Sequence, residues 1–101
     1  MILYNVTVNI DQAAEEEWLQ WMKSEHIPAV MATGYFSAYK LYRLLIETEG
    51  GGVNYSVQYF AENLTNLEDY LQHHAGPFVK EHNERYKDRH VAFRSVLQEV
   101  P

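Results

Sequence analysis

An α+β fold in the order strand, helix, strand, strand, helix, strand is what the sequence predicts, with the four strands in one antiparallel sheet and both helices on one of its faces. Three observations carry that expectation. Apolar residues alternate with polar ones in residues 2–10 and again in 53–60, the period of a half-buried strand. Two longer stretches space their apolar residues as helices do. Between the halves stands Gly50-Gly51-Gly52, at the midpoint of 101 residues, where a two-strand hairpin must reverse.

The first strand sets Ile2, Tyr4, Val6, Val8 and Ile10 against Leu3, Asn5, Thr7 and Asn9, so one face is drier and should meet the helices. Asp11 is placed to cap a helix over about residues 12–32, with Ala14, Trp18, Trp21, Met22 and Ala29 at helical spacing. Pro28 removes an amide and should kink this helix near His26 and Ile27, and Gly34 lets the chain turn. Residues 35–46 read as strand two, residues 47–52 as the reversal, and residues 53–60 as strand three, with Val53, Tyr55, Val57 and Tyr59 on the dry side. Thr65-Asn66-Leu67-Glu68 has the form of a capping box opening the second helix. Its stripe runs Leu67, Leu71, His74, Phe78, His82 and Tyr86, with Gly76-Pro77 expected to kink or split it. Residues 91–100 close the sheet. The whole order is the ferredoxin-like βαββαβ arrangement, expected as a single domain over residues 1–101. Its second sheet face carries no helices, so pairing with a second copy through that open face is the expected use of it. Asn5, Thr7, Ser56, Gln58 and Arg94 are expected there.

Composition narrows the function classes. A net charge of −6 repels phosphate backbones, and nucleic acid is not an expected partner. The one cationic cluster, Arg85, Lys87 and Arg89, falls at a predicted helix C-terminus, as Glu15, Glu16 and Glu17 fall at an N-terminus, where each suits the helix dipole. Without cysteine there is no disulfide framework, no thiolate nucleophile and no Cys-based zinc site, which permits a reducing compartment; the cytoplasm is the expected location. The opening MILYNVTVNI reads as a strand of the mature fold, so neither a signal peptide nor a membrane span is expected. No G-x-S-x-G, P-loop or G-x-G-x-x-G occurs.

Trp18-x-x-Trp21, then His26-Ile27-Pro28 ahead of Gly34-Tyr35-Phe36, resembles the dimeric α+β barrel superfamily, which includes antibiotic-biosynthesis-type monooxygenases, muconolactone isomerases and ethyl-tert-butyl-ether-degradation-type proteins. With Gly76-Pro77, Glu81-His82, Arg85-Tyr86 and Phe93-Arg94-Ser95-Val96-Leu97, nearly the whole chain looks like a family of short bacterial proteins within it, known only as a domain of unknown function. The resemblance implies a dimer, and a ligand space between each subunit's sheet and helices. It also implies cofactor-free proton abstraction, leading to oxygenation or isomerisation of a small, aromatic substrate, if the chain is an enzyme. His26 is the position that matches a working residue of those relatives. A non-catalytic ligand-binding or interaction module is the alternative.

Read from the residues themselves, His26 lies four positions after Met22 on one helix face, where an imidazole can serve as general base or cap the carbonyls freed at the kink. His74 and His82 share the second stripe but stand about 12 Å apart along a helix axis, too far for one metal, and no cofactor or metal is expected. Tyr4, Tyr55 and Tyr59 project from the helix-facing side of the sheet, and Trp18 lies on the apolar stripe of the first helix. With His26, His74 and His82 they are the candidate ligand-binding residues, or else the rings simply fill the core. A cavity of roughly 300 Å³ or more beside His26 is what would favour a site, and a filled core there would favour the alternative.

Overall fold

The computed structural model describes residues 1–46 and 50–101; Glu47, Thr48 and Glu49, part of the expected reversal, lie outside them. Strands β1 (Ile2–Ile10), β2 (Ala38–Arg43), β3 (Val53–Ala61) and β4 (His90–Gln98) form one antiparallel sheet in the order β2-β3-β1-β4. Tyr4 pairs with Tyr59, Val6 with Val57 and Val8 with Tyr55, so the dry sides of the two central strands coincide. Those side chains and the helices enclose the core, in which Ile10, Trp18, Ile27, Val57, Leu67 and Tyr86 are fully buried. At the hairpin, a Cβ on Gly52 would collide with the Asn9 side chain, whose Nδ2 donates to Gly51 O at 3.3 Å and Asn54 Oδ1 at 3.0 Å.

The first helical stretch is four pieces: a 3₁₀ turn (Gln12–Ala14), α1 (Glu15–Trp21), a π-helical turn (Met22–His26) and α2 (Ile27–Ala32). Pro28 accounts for the break. It has no N–H to offer the carbonyl four residues back, and its ring crowds that carbonyl. Widening the preceding turn relieves the clash, and the Ile27 N–H donates to Met22 O, five residues back. The extra residue shifts the phase, so Ile27 and Val30 turn inward while Ala29, expected inside, is exposed. Asp11 makes no side-chain cap.

The second stretch divides into α3 (Leu64–His73) and α4 (Ala75–Arg85) at His74, whose φ of −128° leaves the helical region. Gly76 and Pro77, expected at the break, fall instead in the first turn of α4, where a missing N–H costs nothing. The N-cap is Asn63, whose side chain accepts from Asn66 N at 2.8 Å, and not Thr65. At the far end Arg85 Nη2 donates to Glu17 Oε1 at 2.9 Å and ties α4 to α1.

The other sheet face is open. Ser56, Asn5, Gln58 and Thr7 bond to one another across its centre, and Phe93, Tyr42 and Leu97 stand exposed around them. Arg94 is not there. It pairs with Val6 on the helix-facing side; residues 91–98 carry apolar side chains on both faces, so their alternation does not reveal that phase. Among the described residues no helix is long and apolar enough to cross a membrane.

Candidate functional site

Beneath the helices, the middle of the sheet does not meet them perfectly. Tyr4, Val6, Val8, Val57 and Tyr59 from the central strands, Met22, His26 and Val30 from the broken first helix, Tyr70 from α3, Phe78, Val79 and His82 from α4, and Ala92 and Arg94 from β4 enclose a cavity. It holds about 30 Å³. One water needs roughly 10–15 Å³ on this measure, so the space suits two waters or a small functional group. It is far below the volume expected beside His26, and a whole aromatic ring would have to displace side chains to enter. Arg94 is exposed as well as lining, which puts it at the mouth.

The break at Pro28 is what aims His26 inward, with its ring 4.9 Å from that of Trp21 and 5.9 Å from those of Phe78 and His82. Its Nδ1 is buried and has no hydrogen-bond partner among the described residues, so this side chain does not cap the kink. Burial, and secondarily the charge of Arg94, lower its pKa to about 4, which keeps the imidazole neutral at pH 7.

His82 is 5% exposed and held from one side by Trp18, whose indole Nε1–H donates to His82 Nε2 at 2.9 Å. An indole can only donate, so Nε2 must accept, and a neutral His82 must carry its proton on Nδ1. Burial first, then His90, His26 and Arg94, lower its pKa to about 3, so it is neutral. That Nδ1–H has no partner among the described residues, and nor does the hydroxyl of Tyr59, which is 2% exposed. Burial raises the pKa values of Tyr4, Tyr59 and Tyr70 and keeps them protonated, with Arg94 opposing the rise at Tyr4 and Tyr70.

Of the residues singled out from sequence, His26, Tyr4, Tyr59 and His82 come together around the cavity. Trp18 is one layer behind, orienting His82. Tyr55 lies away from the cavity, against Trp18 at 5.0 Å between ring centroids, its hydroxyl donating to Glu15 Oε2 at 2.6 Å. His74 is exposed outside, its ring 5.0 Å from that of Tyr35, because the chain leaves the helical path at that residue. Arg94 and Tyr70 were not anticipated. Arg94 had no legible phase, whereas Tyr70, three residues after Leu67, is at a spacing that helical periodicity could have flagged. Among the described residues no three His, Cys, Asp or Glu side chains gather as a metal site would require.

Solved structures share this architecture. An ethyl tert-butyl ether degradation (EthD) family protein from Bacillus halodurans superposes with a TM-score of 0.72 over 99% of this chain and 100% of its own, at 9% identity. A dimeric ferredoxin-like protein from an uncultured marine organism gives 0.72 over 98% and 97%, at 11% identity. An antibiotic biosynthesis monooxygenase gives 0.63 over 100% of both chains, at 15% identity. At such identities the likeness defines the fold class, ferredoxin-like α+β. No curated protein matches the sequence. The chain belongs to the family described as Domain of unknown function (DUF4286), which matches residues 1–100.

Proposed function

We propose that this is a homodimeric protein that binds a small molecule in the cavity between sheet and helices of each subunit, with His26 as the proton-accepting group. One observation carries the reading: three buried polar atoms without partners among the described residues, on His26, Tyr59 and His82, belong to side chains that line the same cavity. Buried polar groups are nearly always satisfied in folded proteins, so three orphans that converge on one space call for a partner from outside the chain, a water, an ion or a ligand group. In the catalytic form, neutral His26 takes a proton from an acidic C–H or phenolic O–H, and the resulting anion forms beside Arg94. Isomerisation returns that proton to a different carbon; oxygenation requires dioxygen as electron acceptor. The anion would also raise the pKa of His26 from its low value, since an opposite charge favours imidazolium.

A second reading, ligand binding without catalysis, is favoured by the small volume of the cavity. Oxygen-uptake and isomer-product assays with a panel of phenols and enolisable ketones separate the two. The catalytic form predicts turnover that His26→Ala abolishes while its Tm stays within about 5 °C of the parent. Absence of turnover across the panel, with thermal stabilisation by its members, identifies the binding module. For the dimer, the open face with exposed Phe93, Tyr42 and Leu97 around a satisfied polar centre is the supporting feature, as is the dimeric relative. Light scattering behind size exclusion at micromolar concentration should give twice the chain mass of 11.9 kDa, and one chain mass throughout would reject it.

A further inference from the structure

The cavity wall has an uneven inventory of charge. The chain as a whole carries −6, yet among the described residues no Asp or Glu lines the cavity, and the one formal charge there is the guanidinium of Arg94. Arg94 forms no ion pair with a carboxylate among the described residues, while Arg85 does. Deeper in, the proton on His82 Nδ1 is fixed by Trp18 and has no acceptor among the described residues. A cation at the mouth and a locked donor on the wall, amid valines, methionine and phenylalanine, select against a second cation and against a ligand that offers only donors.

Building on the reading of the cavity as a ligand site, we propose that its ligand is a small organic monoanion whose carboxylate enters head-first, held by the Arg94 guanidinium and by the Nδ1–H of His82, with Trp18 as the positioning residue that fixes the tautomer. Guanidinium and carboxylate match in shape and charge, and their hydrogen bonds are about twice as strong as neutral ones. The 30 Å³ of space accommodates such a head without the rest of the molecule, which would extend past Arg94 toward solvent.

Acetate and its neutral isostere acetamide are the probes, titrated at constant ionic strength with intrinsic tryptophan fluorescence as the readout, since Trp21 packs against His26. Acetate should give a saturable change at least about tenfold tighter than acetamide. Arg94→Gln removes the charge but keeps a side-chain amide that can still bond the Tyr4 hydroxyl; it should abolish the preference, and Arg94→Lys should restore part of it. A ¹⁵N spectrum of the parent protein should show His82 as the Nδ1–H tautomer, and Trp18→Phe should release it and weaken acetate several-fold. Equal responses to both probes, or an unchanged acetate response in Arg94→Gln, would overturn the carboxylate assignment while leaving a ligand site in place. No saturable response to either probe would overturn both.

Discussion

Two parts of one interior, a few residues apart along the same strands, are built to different rules. Around Trp18 and Tyr55 the buried polar groups are spent on the protein itself: the indole donates to His82, the Tyr55 hydroxyl to Glu15, and the Tyr86 hydroxyl accepts from Arg85 at 3.4 Å. Around Tyr59 and His26 the hydroxyl and the imidazole nitrogen have no partner among the described residues. His82 belongs to both, with Nε2 committed to Trp18 and Nδ1 uncommitted. The difference teaches that aromatic abundance alone says nothing about function; what separates packing from a site is whether the polar handle of each ring is already used.

Removing the packed side should have the largest effect. Trp18→Ala deletes a fully buried indole and strands His82 Nε2, and should cost on the order of 4 kcal/mol in urea unfolding. A cost below about 1 kcal/mol would mean that this half is not the structural one.

Acid should act mainly through two histidines, His26 in the unsatisfied region and His82 at the join. Their folded-state pKa values, about 4 for His26 and about 3 for His82, lie below the ordinary imidazole value, so the unfolded chain takes up protons first as pH falls. Their contribution to stability is complete above about pH 6.5 and is lost progressively from there toward pH 4 and below. Unfolding free energy should drop by about 2 kcal/mol between pH 7 and pH 5.5, and by about half as much in His26→Ala. A flat profile would show that both rings are already charged or solvated.

The finest test subtracts one oxygen from each region. Tyr55→Phe should lose about 1 kcal/mol, the net worth of its hydrogen bond to Glu15. Tyr59→Phe removes an orphan hydroxyl and should be neutral or slightly stabilising in chemical denaturation. Equal losses would erase the distinction between the regions.

How much of this was legible in the sequence differs by element for physical reasons. Strands β1 and β3 announced themselves because each has one wet and one dry side, and their paired register puts Tyr4 opposite Tyr59 as alternation implies. Pro28 announced the kink that aims His26. The phase of β4 was hidden, since Val91 and Phe93 share one face while Ala92 and Val96 share the other, and Arg94 was therefore assigned to the wrong side. His74 was misplaced by extending one helical stripe through a break that begins at that very residue. The Trp18 to His82 bond joins residues 64 positions apart and leaves no local signature at all.

The proposed site stands or falls on whether His26, Tyr59 and His82 surround a space that something other than protein fills. A crystal structure at high resolution, grown with sodium acetate, tests it most directly. The expected result is density for a bound group inside the cavity, within about 2.7–3.2 Å of His82 Nδ1 and adjoining the Arg94 guanidinium. Side chains closed over that space, with the Tyr59 hydroxyl and His26 Nδ1 bonded to protein atoms, would contradict it.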